Sequence, residues 1–273
     1  QLEAQSERLG LTTETLAGKF SRLFKEHFQT AAVMAGIHLT QQGFQQVYQN
    51  VVEVDTAMTE LKKVTDETDA TYSSFMQTAI QQSRDLASSI SDTVNATADF
   101  ARLGYTLDEA TDLSKAAITY QHVGDGISDI SEATESIIST MKAFNIEAKD
   151  SMSIVDRFNK VGNEFAIFSS GIGEALQRSA SALHTAGNDI NESIGMIVAA
   201  NDVVQDEESV GNALKVLSLR IRGAKTELKE MGEDTETVAE STSKLQASIK
   251  GLTGVDIMKS ATEFKSTYQI MDE

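Results

Sequence analysis

The chain has 273 residues, with no proline, cysteine or tryptophan, 5 Tyr, 11 Phe and a formal charge of −18. Lack of cysteine excludes disulfides, thiolate metal sites and cysteine nucleophiles, and lack of proline leaves helices without obligatory stops. Hydrophobic residues make up 40%, enough for a packed protein, and the few aromatics point to thin helix–helix cores, so the expected class is all-α.

In chain order, the N-terminus begins at Gln1 rather than Met and carries no basic-then-apolar leader, so the sequence reads as an excerpt of a longer chain. The longest apolar stretch, Ala31 to Leu39, is far short of a membrane span and contains Gly36 and His38. Beyond it, Phe44, Val47, Val51, Val54, Met58 and Leu61 alternate at spacings of 3 and 4, the seam of a long bundle helix or a coiled coil. Residues 1–64 are therefore expected to form long N-terminal helices.

The next segment, residues 65–210, holds 24 acidic and 8 basic side chains, nearly the whole net charge. Such a block is a poor candidate for neutralising phosphates, so no specific nucleic-acid binding is expected. Gly104, Asn145 and Gly187 lie 41 and 42 residues apart in matching surroundings. Phe100, Met141 and Leu183 stand four residues before them, and Glu109, Asp150 and Glu192 five after. A left-handed residue closes one helix, an apolar residue packs over its end, and a carboxylate sits near the next N-terminus. Thr106 to Glu109 has the spacing of a capping box, and Asp129 to Glu132 and Asp189 to Glu192 are Asp-led versions.

Helices are predicted over 69–103, 106–121, 128–144, 147–164, 170–186 and 189–204, joined by short loops that make antiparallel hairpins. A period near forty is that of helical solenoids, but aromatic and proline repeat signatures are missing. A bundle-like core of hairpins sharing capping chemistry is the expected architecture, flanked by the long heptad-patterned helices.

For residues 211–273 a long C-terminal helix and a helical tail are expected. Leu214, Leu217, Ile221, Ala224, Leu228 and Met231 repeat the heptad spacing, and Val238, Leu245, Ile249 and Leu252 form a weaker run. These long helices could pair between copies of the chain or pack on the core. Lys215, Arg222 and Lys229 form a basic stripe that is either solvated or turned toward an acidic surface.

A search for chemistry finds little. His27, His38, His122 and His184 are scattered, with no i, i+4 pair for zinc. Gly124-Asp-Gly126 and Gly171-Ile-Gly173 have no Lys-Ser/Thr after them and no strand before, so they read as interhelical turns. Ser169 and Ser170 read as the N-cap of the helix starting near 170. No catalytic, cofactor or metal site is expected.

Four strings carry a resemblance: VVEVDTAMTELKKVTDET at 51–68, ARLGYTLDEATDLSKAA at 101–117, SLRIRGAKTELKEMGED at 218–234 and STSKLQASIKGLTGVDIM at 241–258. Over roughly residues 50–260 the chain resembles the core region of phage tail tape-measure proteins, also called phage-related minor tail proteins. Phe168 departs from that pattern, which has a small polar residue there.

The resemblance implies a helical virion component that sets tail length during assembly in the host cytoplasm. It would occupy the tail tube lumen and leave at genome ejection. Implied partners are the tail tube protein, tail assembly chaperones and tail-tip proteins. Two other readings fit the composition: a helical binding or signalling scaffold with a soluble protein partner, and, through lytic domains carried elsewhere by some members, cell-wall cleavage.

Overall fold

The computed structural model describes residues 41–236, 238, 242–260 and 263–273; of 41–48 and 242 it describes the backbone alone. The expectations for residues 1–40, including the Ala31 to Leu39 stretch, and for the Phe44 and Val47 side chains lie outside the described residues. The fold is all-α. Its helices are α1 (Gln41–Val64), α2 (Asp69–Asp85), α3 (Ile90–Arg102), α4 (Leu107–Val123), α5 (Ile130–Phe144), α6 (Met152–Glu164), α7 (Ser169–Thr185), α8 (Ile190–Val204), α9 (Glu207–Arg222), α10 (Lys225–Glu230), α11 (Thr242–Thr253) and α12 (Thr267–Asp272). A 3-10 turn, Ala148–Asp150, precedes α6.

Odd-numbered helices pack in sequence, α1 on α3, α3 on α5, α5 on α7 and α7 on α9. Even-numbered helices lie against them, α4 on α3 and α5, α6 on α7, and α8 on α7 and α9. The bundle-like core is thus a row of antiparallel hairpins stacked in chain order, the contact pattern by which solenoids bury their faces. Its interior includes Phe100, Leu113, Ile137, Phe158, Leu176 and Leu183, all fully buried. Tyr120 and Phe158 meet edge to face at 5.6 Å.

Small residues bring the central helices close. An added Cβ at Gly211 of α9 would stand 2.7 Å from the Ala175 carbonyl oxygen of α7, and one at Gly173 would stand 2.6 Å from Ser136 Oγ of α5. These approaches let α7 pack tightly against a helix on each side.

Three expectations are corrected. The helix predicted over 69–103 is broken at Ala87, which takes φ +52°, and Ser89 caps the new start at Asp92 N. Neither a proline nor a glycine marks the break. The left-handed residue costs about 1–2 kcal/mol, and packing of α2 against α3 with the buried Ser83–Thr93 hydroxyl pair at 3.0 Å offsets it.

The heptad run from Leu214 to Met231 is not one long helix either. It ends at Gly223, φ +66°, where Ala224 N bonds to Leu219 O. Leu214, Ile221 and Leu228 are buried, Leu217 and Ala224 are half-buried, and Met231 is exposed. The boundary expected between 210 and 211 falls inside α9. In the weaker run, Val238 and Leu245 are buried while Leu252 is 87% exposed.

The third correction concerns α7, whose N-cap is Phe168, with no side-chain cap bond, and which contains Gly171-Ile-Gly173 within its first turns rather than in an interhelical turn. Ser169 instead donates through Oγ to the Asp125 carbonyl oxygen and carboxylate at 3.1 and 3.0 Å, and Ser170 N bonds to Asp125 O. The Gly124-Asp-Gly126 turn of the preceding hairpin thereby supplies acceptors at the start of α7. Val54, Met58 and Leu61 of the first heptad face the core, while Val51 is half-buried.

Candidate functional site

The recurring turns close the odd-numbered helices, and packing those helices side by side aligns the turns along one edge of the row. Gly104 has φ +90°, Asn145 φ +54° and Gly187 φ +82°. Phe100, Met141 and Leu183, one turn before each, are buried over the helix ends. Gly223, thirty-six residues after Gly187, closes α9 as a fourth member.

The turns at Gly104 and Gly187 launch the next helix with a capping box, whereas those at Asn145 and Gly223 are followed by no side-chain cap. Thr106 Oγ1 accepts from Glu109 N at 3.3 Å while Thr106 N donates to Glu109 at 2.9 Å. Those bonds from the Thr106 backbone and hydroxyl hold the Glu109 carboxyl below the usual carboxylate range. Asp189 and Glu192 form the same reciprocal pair at 2.8 and 3.1 Å. Asp129 accepts from Glu132 N at 3.0 Å, but the Glu132 carboxylate is taken by Ser128 N and Oγ, one residue earlier than the sequence suggests. No side chain caps the start after Asn145.

From α3 to α9, a basic residue in the last turn of each odd helix reaches the end of the preceding odd helix. Arg102 of α3 approaches Glu60 of α1 at 3.5 Å. Lys142 of α5 stands 5.5 Å over the Tyr105 ring beside the first turn. His184 Nε2 of α7 is 3.3 Å from Asn145 Nδ2, and its ring meets Phe144 edge to face. Arg222 of α9 donates to Ala186 O at the end of α7 and to Lys265 O at 2.6 Å, and lies 4.4 Å over the Phe264 ring.

Arg222, beside the C-terminal Ala186 carbonyl of α7, opposes the negative end of that helix dipole, and all four rungs tie neighbouring repeats together. The exposed rungs contribute little. Arg222 is half-buried, its pKa lowered by burial, and its chain-crossing bonds are the substantial ones. The basic stripe is thereby divided: Lys215 is half-buried and Lys229 exposed, while Arg222 is engaged.

On the even layer, α6 and α8 touch where Arg157 Nε donates to Asn191 Oδ1 at 3.0 Å. From there they diverge around an open groove of about 660 Å³ floored by Val161, Ile194 and Val198. Phe165, 53% exposed, stands at its mouth with Glu164 and Asp202. The arrangement offers apolar area with charged margins, and among the described residues no cluster of three His, Asp or Glu side chains could hold a metal. Nor is any helix among them long and apolar enough to cross a membrane.

Sequence reasoning missed the fourth turn, the rungs and the groove. A basic residue one to three positions before each turn, at Arg102, Lys142, His184 and Arg222, was the available signal for the rungs. Compared with known families, residues 76–272 match the model described as phage-related minor tail protein. No solved structure matches the chain.

Proposed function

Since the chain belongs to the phage-related minor tail protein family, with a structural role in the phage tail, we propose that it is a segment of a tape-measure protein. In this reading it sets tail length during assembly in the host cytoplasm, lies in the tail tube lumen and leaves at genome ejection. Its contacts would be with the tail tube protein, tail assembly chaperones and tail-tip proteins, and its role would be architectural rather than enzymatic.

One observation carries the reading: the family match runs along a row of hairpins joined by contacts between chain neighbours. Such a row adds length one repeat at a time. The charge is consistent with it, because a surface of 24 acidic against 8 basic side chains over 65–210 repels outgoing DNA.

The row also sets the scale of the test. One hairpin, residues 146–187, advances the stack by one helix spacing of about 10 Å. The same 42 residues as a continuous helix would span about 63 Å at the α-helical rise. In-frame removal of this hairpin from the parent gene is expected to shorten tails by an amount within those limits, read from tail-length distributions by electron microscopy. Intact tails of unchanged length would overturn the proposal.

A further inference from the structure

We propose that the groove between α6 and α8 is a docking site for residues 16–28 of this same chain, LAGKFSRLFKEHF. The inference does not depend on the tape-measure reading. Leu16, Phe20, Leu23, Phe24 and Phe28 stand at i, i+4, i+7, i+8 and i+12, a pattern that places apolar groups on one helical face. Lys19, Arg22 and Lys25 against Glu26 give the segment a net charge of +2, in a chain whose central block is strongly acidic.

The groove has complementary features. Val161, Ile194 and Val198 supply an apolar floor, and Phe165 is left half in solvent at the mouth. Two cations also line the groove, Lys160 and Arg157, the latter held by Ser153 and Asn191, while Glu164 and Asp202 flank the mouth with no ion-pair partner among the described residues. An apolar segment bearing cations satisfies both, covering the floor and pairing with the margin.

Topology brings the two together. Glu60 near the end of α1 contacts Arg102 at the end of α3, so α1 ends at the turn edge and its start, Gln41, lies at the opposite edge. Helices α6 and α8 begin just after the Asn145 and Gly187 turns and run away from that edge. The groove mouth at Glu164 and Asp202 is therefore on the same side as Gln41.

From α1 to α7 is three steps of the odd row, about 30 Å at ordinary helix spacings. The greater length of α1 and the step to the even layer raise the separation to about 35 Å at ordinary helical rise and spacing. Residues 29–40, twelve in number, can span up to about 40 Å. The tether is long enough for the segment to reach the groove of its own chain.

Because the chain has no cysteine, the test is a proximity measurement on the full 273-residue protein. Ser21→Cys with Ala199→Cys retains every apolar anchor and places thiols on the segment and the groove wall. A short bis-maleimide should link them within one chain at least tenfold faster than the control pair Ser21→Cys with Gln77→Cys, since Gln77 is exposed on α2.

Reversing Lys19, Arg22 and Lys25 to Glu should slow the linkage about tenfold, and adding Glu164→Lys with Asp202→Lys should restore it. Gly195→Trp, at a groove-wall glycine with nothing within 4 Å of an added Cβ, should slow it by filling the groove. Circular dichroism and melting of each variant check that the fold persists. A rate equal to the control, indifference to the charge swaps or the tryptophan, or links that form only between chains would each overturn the proposal.

Discussion

Arg222 is where the hairpin row and the C-terminal segment are joined, and replacing it with Met keeps the apolar stem while deleting the donors. Two backbone carbonyls, Ala186 O and Lys265 O, lose a charged donor, and the Phe264 ring loses its cation. A half-buried charge-assisted bond contributes about 1 kcal/mol net and the ring contact about 0.5–1 kcal/mol, so a loss near 3 kcal/mol is expected. At about 1.4 kcal/mol per tenfold, that corresponds to a roughly hundredfold change in local opening.

The assay is amide exchange across residues 257–270, whose other ties to the row include Tyr268 N to Asn188 Oδ1 at 2.8 Å, Thr267 Oγ1 to Ser218 Oγ at 3.4 Å and Ser266 Oγ to Glu192 Oε1 at 3.4 Å. Exchange there should accelerate strongly while α3, α4 and α5 keep their protection. Arg220→Met serves as the comparison, because its pair with Glu233 at 3.0 Å is about one-third exposed and should contribute under about 1 kcal/mol. Unchanged exchange in Arg222→Met, or equal effects of the two variants, would refute the assignment of Arg222 as the tie.

Other variants test the remaining contacts. Gly211→Ala should destabilise by about 2 kcal/mol, because its Cβ meets the Ala175 backbone, whereas Gly195→Ala has open space and should stabilise by about 0.5–1 kcal/mol; urea midpoints compare them. Thr106→Ala removes a capping box and should cost about 1 kcal/mol in the same measurement. Glu109 and Asp256 have folded pKa values depressed by hydrogen bonds, chiefly from Thr106 N and Met258 N. Their stabilisation is full above the ordinary carboxylate range and lost as pH falls through the lowered folded values, so Glu109→Gln should flatten the acid limb of a stability profile. Burial pushes the Tyr120 phenol well up, so its contribution falls as pH rises past about 10; Tyr120→Phe should weaken that alkaline loss, followed by circular dichroism.

Most helices were legible in the sequence because their start signals are local. The partners in Thr106 with Glu109 and Asp189 with Glu192 are three residues apart, and a helix start brings such residues together whatever the rest of the chain does. The same holds for Gly104 and Gly187, whose left-handed φ needs no distant help. These local signals determined the helical class and the hairpin connections.

Other features were settled between residues far apart in sequence. Ala87 adopts a left-handed conformation that its own chemistry disfavours, in a turn where α2 folds back against α3. Asp125 caps α7 across 44 residues, so the adjacent serines misled a local reading. The heptad run through Leu214 and Met231 carried the period of one helix, but Gly223 ends it and Arg222 reaches across to Ala186. Periodicity records which face of a segment is apolar; only tertiary packing decides where the helix stops and which repeat it leans on, because those contacts exist only once the row has assembled.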